Sequence, residues 1–174
     1  MIPHARRPAP HPPTLPTPTD IIMMRRALDL ARHAAAMEEI PVGAVVYETA
    51  TGTPIGEGHN LRHTNRDPSA HAELIAIRAA ARHAGDWRLN HCTLVVTLEP
   101  CPMCAGLIVN ARLGRVIYGC PDPKAGACDS LFRLTSDARL NHRVEPIGGV
   151  LAEEAGELLR AFFRERRRDG SVGK

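Results

Sequence analysis

Two short clusters constrain this chain more than any other feature: His71-Ala72-Glu73 and Pro100-Cys101-Pro102-Met103-Cys104. Between them they hold one imidazole, two thiols and a carboxylate. Cys101 and Cys104 are three apart, a spacing that brings both sulfurs to one face at the first turn of a helix. A helix start also favours the thiolate, through its free N–H groups and positive end. Pro102 suits that turn because its missing N–H would have no partner there. His71 likewise stands where a helix should begin. A single site therefore requires two helix starts, each following a strand, to meet at one edge of a sheet. Three protein donors leave the fourth position of a tetrahedral zinc open to water, as in a catalytic site and unlike a structural one. His91 and His142 are the nearest further donors, and neither has a partner at ligand spacing. A redox role for Cys101 and Cys104 would leave His71 and Glu73 without a task.

The rest of the sequence is compatible with such a fold. With 174 residues, 44% apolar and 24% charged, it suits one soluble domain with a sizeable core. No apolar run approaches the length of a membrane span. Residues 1–19 are rich in proline and lack an apolar signal region, so they read as a disordered tail. Met23 or Met24 could be the true start. Residues 20–168 read as the folded domain and 169–174 as a flexible end. The five cysteines, an odd count without an export signal, point to a reducing cytoplasm. Cys92, Cys120 and Cys128 have no ligand spacing and read as small buried apolar residues.

Asp20 is placed to cap a first helix, with Ile21, Met24, Leu28 and Ala31 at helical spacing as far as Met37 or Glu38. Residues 41–47 read as a buried strand, 48–53 as a hairpin turn, and 55–60 as the returning strand, weakened by two glycines. A helix from near Ala70 ends at Gly85. Residues 92–98 form a β-branched strand, Pro102 opens a helix, and 115–120 form the next strand. A Gly/Pro-rich loop over 121–130 leads to a short helical stretch near Leu131. A last strand over 144–150 and an amphipathic helix over 152–168 follow, with Leu158, Leu159, Phe162 and Phe163 on its apolar side. This order predicts an α/β fold, a three-layer α/β/α sandwich around a five-stranded mixed sheet.

The H-x-E…P-C-x-x-C pattern resembles that of the cytidine deaminase superfamily. More narrowly, the chain resembles the bacterial tRNA-specific adenosine deaminases. The resemblance runs from about Met24 to Arg168. It rests on Pro41-Val42-Gly43-Ala44-Val45, Gly56-Glu57-Gly58-His59-Asn60, Asp67-Pro68-Ser69-Ala70-His71-Ala72-Glu73 and Thr97-Leu98-Glu99-Pro100-Cys101-Pro102-Met103-Cys104-Ala105-Gly106. Asp122-Pro123-Lys124-Ala125-Gly126, Asn141-His142-Arg143 and Phe162-Phe163-Arg164 extend it. It implies a cytidine deaminase-like fold and one Zn2+ per subunit on His71, Cys101 and Cys104. Glu73 would be the acid/base residue. The implied activity is hydrolysis of adenosine to inosine at the tRNA wobble position, typically in the arginine tRNA with an ACG anticodon. A cytoplasmic homodimer gripping the tRNA anticodon stem-loop is implied as well. Asn60 resembles the pocket asparagine and Asn141 a second polar contact. Phe163 and Arg167 resemble a stacking and phosphate-contact pair, and Arg62 could reach phosphate.

Each of these outer residues has a plainer reading. Asn60 can end a strand in a turn, Asn141 can bond its own backbone, Phe163 can pack in the core, and Arg62 can lie solvated. The arginines at 164 and 166–168 suit a helix C-terminus even without RNA. Ala127-Cys128-Asp129-Ser130 departs from the family by placing an acid where glycine is usual, which puts the backbone shape of that loop in question. The main rival is a deaminase of a free base or nucleoside such as guanine or cytosine. A non-catalytic RNA-binding subunit is a second rival, disfavoured by the retained Glu73.

Overall fold

The computed structural model describes residues 15–168. Residues 1–14 of the tail expected over 1–19, and the flexible end expected over 169–174, lie outside the described residues. The first helix, α1, spans Pro18–Ala36. Its N-cap is Thr17, not Asp20. Thr17 Oγ1 accepts from the Asp20 N–H at 3.2 Å, and the Asp20 carboxylate accepts from the Thr17 N–H at 2.6 Å. This capping box, with Pro18 at the start, pulls residues 17–19 out of the expected tail and into the domain. A chain begun at Met23 or Met24 would lack the cap.

Strands β1 (Gly43–Glu48) and β2 (Pro54–His59) form an antiparallel hairpin. Helix α2 (Ala72–Ala84) ends at Gly85, whose φ of 65° is the left-handed cap expected there. Then come β3 (Cys92–Leu98), α3 (Pro102–Asn110), β4 (Arg115–Cys120), β5 (Pro146–Ile147) and α4 (Ala152–Arg168). The sheet order is β2-β1-β3-β4-β5, antiparallel through β3 and parallel from β3 to β5. The five-stranded mixed sheet is thus present. The strand expected over 144–150 shrinks to two residues, since only Val116 and Ile117 of β4 offer it partners. The expected helix near Leu131 is replaced by turns; Leu131 and Phe132 are exposed and bury no apolar face that would hold a helix.

Strand alternation divides the core. Ala44, Val46, Leu94, Val96 and Val116 meet α2 and α3, whereas Val45, Tyr47, Val95 and Ile117 meet α1 and α4. This makes the three layers. Of the apolar residues expected on α4, Phe162 is buried and Leu159 packs against the core, but Phe163 turns outward. The glycines of β2 have a packing purpose. A Cβ on Gly56 would lie 2.3 Å from Ala76 O, and one on Gly58 would lie 2.5 Å from Ala72 O, so α2 rests directly on the strand. Cys92, Cys120 and Cys128 are buried, as expected of small apolar residues.

Candidate active site

Strand registers bring the working residues to one edge. The end of β3 lies beside the end of β4, with Leu98 opposite Cys120. The antiparallel hairpin adds the start of β1 and the end of β2 to that edge, through Gly43 opposite His59. Asn60 therefore leaves the sheet where Glu99-Pro100-Cys101 also leaves it. Leu61 N–H donates to Ala70 O at 3.0 Å and closes the loop that leads into His71.

His71 and Cys101 are the N-cap residues of α2 and α3, and neither side chain caps its helix. Both point instead at a common centre. His71 Nδ1 lies 3.6 Å from Cys101 Sγ and 3.7 Å from Cys104 Sγ. The three donor atoms all fall within 4.8 Å of one another. A tetrahedral zinc with Zn–S near 2.3 Å and Zn–N near 2.0–2.1 Å would hold a sulfur and a nitrogen about 3.6 Å apart. The donor set therefore fits the ion in spacing and in chemistry.

The electrostatics agree. Hydrogen bonding with Cys104 draws the Cys101 thiol down to about 4; burial opposes this and His71 assists it. Cys104 is pushed up by the same bond and by burial. His71 is raised by its hydrogen bond with Cys101, against the cost of burial. The cluster thus favours the thiolate form of Cys101 beside His71, in keeping with a metal-ligating donor set. Glu73 is buried at 4% exposure and pushed up to about 7, chiefly by burial. Cys101, His71 and Cys104 all act on its charge, so the carboxyl lies close to the donor cluster. Arg62, exposed on the preceding loop, lies near enough for its charge to act on His71.

Asn60 is buried, and its Nδ2 donates to Glu39 Oε2 at 3.2 Å. Asn141 is exposed in a bend, next to His142, whose Nε2 lies 2.8 Å from Leu113 O. Phe163 is 38% exposed and stacks edge-on against buried Phe162, with ring centroids 5.5 Å apart. Arg167 is exposed. No hydrogen bond or ion pair among the described residues joins Asn141, Phe163 or Arg167 to the donor cluster.

Sequence reasoning passed over two buried acids. Glu99 Oε1 accepts from the N–H groups of Cys128, Asp129 and Ser130 at 3.1, 2.8 and 2.9 Å. Glu99 Oε2 accepts from Asp122 N–H at 2.9 Å and from the Ser130 hydroxyl. One carboxylate beside Cys101 thus shapes the loop over 122–130. Asp129 fits there without glycine. Among the described residues it is not one of those with positive φ, and its Oδ2 accepts from Tyr118 OH at 2.8 Å. The other acid is Glu39. An acidic residue next to a metal motif, or next to a helix end, was the only available signal for either.

An α/β/α sandwich with a His-Cys-Cys cluster at two helix starts and a buried glutamate beside it defines a zinc-dependent deaminase type of site. The model of the cytidine and deoxycytidylate deaminase zinc-binding region matches residues 18–120, and the chain belongs to that family. A tRNA-specific adenosine deaminase of Haemophilus influenzae is 48% identical over 152 residues, covering 87% of each chain. A solved structure from work on A-to-I editing by tRNA:A34 deaminases at the wobble position matches with a TM-score of 0.75 and 39% identity. That match covers 79% of this chain and 99% of the other. Guanine deaminase from Nitrosomonas europaea matches with a TM-score of 0.71 over 87% of each chain, but at 24% identity it shares the fold alone. Among the described residues no helix is long and apolar enough to cross a membrane.

Proposed function

We propose that this chain is a tRNA adenosine deaminase that converts adenosine to inosine at the wobble position, with the ACG arginine tRNA as its substrate. The observation that carries the reading is the long match to the Haemophilus influenzae enzyme, which spans the donor cluster and continues beyond the zinc-binding region. His71, Cys101 and Cys104 would hold the zinc. When bound, zinc lowers the pKa of a water to about 7 and makes it a nucleophile at neutral pH.

The chain's own part is proton movement and orientation. Glu73 accepts the proton that water loses as its oxygen bonds to C6 of the purine, and passes it to N1. The C6–N6 bond then breaks, and Glu73 relays the hydroxyl proton to the departing amine. Water is consumed, and inosine and ammonia are released. Burial of Glu73 keeps bulk water from competing for that proton. Asn60 grips the nucleoside, while Arg62, Asn141, Phe163 and Arg167 meet the splayed anticodon loop by charge and stacking. A homodimer in the cytoplasm, with tRNA as partner, completes the reading.

The test is incubation of the zinc-loaded protein with the ACG anticodon stem-loop, and separately with free adenosine, cytosine and guanine, scoring inosine and ammonia. Inosine in the RNA is expected. Glu73→Ala should abolish turnover while zinc content survives. Ammonia from a free base alone would overturn the RNA reading.

A further inference from the structure

Glu39 occupies an odd place for a carboxylate. Helix α1 ends in a Schellman motif: Glu38 N–H bonds Ala35 O, Glu39 N–H bonds Ala34 O, and Glu38 takes a φ of 60°. The residue after the left-handed position usually makes an apolar contact back to the helix. Here it is an acid, 3% exposed, at the negative end of the helix. Burial and the helix dipole both disfavour an anion there. Its compensation comes from two donors, both remote in sequence. Asn60 Nδ2 donates to Oε2 at 3.2 Å, and Thr64 N–H donates to Oε1 at 2.6 Å.

We propose that Glu39 is a positioning residue, whose carboxylate locks the Asn60 amide so that Nδ2 faces inward and Oδ1 is presented to the substrate. The inference rests on the reading of Asn60 as a nucleoside contact. A carboxylate can only accept hydrogen bonds, so it distinguishes the two ends of an amide that are otherwise nearly equal in shape. Asn60 Oδ1 accepts no hydrogen bond among the described residues, and it is not one of the buried atoms left unpaired. It is therefore an accessible acceptor on a side chain that is otherwise enclosed. The ligand group that meets it must be a donor, such as a hydroxyl or an amine.

The same carboxylate steadies what surrounds Asn60. Its bond to Thr64 holds the turn that carries Arg62, on the loop closed by Leu61 and Ala70 just before His71. From behind, Arg166 Nη1 donates to Glu38 O at 3.0 Å and fixes the backbone that delivers Glu39. A single acid thus sets one pocket amide and one loop through independent oxygens.

Glu39→Gln tests this with almost no change of shape. The Thr64 N–H cannot turn, so it claims the remaining carbonyl oxygen. The new Nε2 then faces Asn60 and forces its amide to reverse. The experiment measures kcat and KM for Glu39→Gln, Asn60→Ala and the double variant in zinc-loaded protein, together with melting temperature and zinc content. The substrate is the ACG stem-loop, or whichever free base the unaltered protein deaminates if the RNA reading fails. Each single variant should lose about 10- to 100-fold in kcat/KM, with zinc retained and melting within a few degrees of the unaltered protein. The double variant should be no worse than Asn60→Ala. Losses that multiply would show that Glu39 acts other than through Asn60 and would overturn the proposal, as would full activity in Asn60→Ala. Should Glu39→Gln melt far lower, a neutron structure of it at low temperature, which separates amide nitrogen from oxygen, decides: an unreversed Asn60 amide also overturns the proposal.

Discussion

Arg115 Nη2 donates to Asp20 Oδ2 at 2.9 Å and ties the start of β4 to the first turn of α1. Arg115 Nη1 and the hydroxyl of Tyr47 both reach Asp20 Oδ1. Asp20 is fully buried, and burial alone would raise its carboxyl; the bonds from Arg115, Thr17 and Tyr47 more than offset this and hold it below 3.8. Arg115 and Tyr47 pair with Thr93 at the start of β3, so this clasp lies at the opposite edge of the sheet from Cys101.

Asp20→Asn should therefore cost stability without touching chemistry. The loss should be about 3 kcal/mol at pH 7, the low end for breaking a buried pair, because Arg115 keeps 20% of its side chain exposed. The folded-state pKa lies below 3.8, so the contribution is complete above that value and disappears as pH falls through the lower, folded one. Urea midpoints at pH 7 and pH 3 measure it: the unaltered protein should fall further between them than the variant. Equal falls would remove Asp20 from the acid transition.

Glu99→Gln should loosen the loop over 122–130. An amide cannot serve the N–H groups that now converge on two carboxylate oxygens, and at least one buried donor is left unpaired. A cost of about 2–3 kcal/mol is expected. Hydrogen exchange should quicken at the amides of Asp122, Cys128, Asp129 and Ser130 and stay unchanged in β1. Uniform acceleration across the domain would point to global destabilisation instead.

Removing zinc with a chelator should abolish turnover and leave the secondary structure in place. Both core clusters are built from sheet and helix side chains and need no ion. Far-ultraviolet circular dichroism should barely change, melting should fall, and added zinc should restore both melting and activity. At a hundredfold excess over Kd, bound zinc contributes about 2.7 kcal/mol. Cooperative unfolding on chelation would recast the cluster as structural.

Neighbouring arginines on α4 should behave differently. Arg166 bonds Glu38 O and lies over the Phe162 ring at 5.4 Å, whereas Arg167 is exposed. Arg166→Ala should lower the melting temperature. Arg167→Ala should leave it unchanged and flatten the salt dependence of stem-loop binding by about 0.7 in log-log slope, the value for one single-stranded phosphate contact. An unchanged slope would take Arg167 off the RNA surface.

The donor cluster was legible because its spacing is local: two ligands three residues apart and a third at a helix start obey rules written within one turn. β3 and β4 were legible for a similar reason, as β-branched runs bounded by breakers. The helix cap at Thr17 was hidden by the prolines around it, and Asp20 looked like a cap because its true partner, Arg115, is remote. Glu39 was unreadable for the same cause: its meaning lies in Asn60 and Thr64, 21 and 25 positions away. The outward turn of Phe163 and the two-residue β5 depend on which surfaces neighbours happen to cover. Local chemistry shows in sequence; long-range satisfaction of buried polar groups does not.

Gly58 carries a consequence for the reaction itself. The carbonyl that a side chain at 58 would strike belongs to Ala72, the residue between His71 and Glu73. Any growth there would push the first turn of α2, with the imidazole and the carboxyl on either side of Ala72, off the strand, while the sulfurs stay anchored on a different helix. The seat of α2 on β2 is gauged by a methyl that the chain omits. Its calibration therefore depends on a residue that contributes no atom to catalysis.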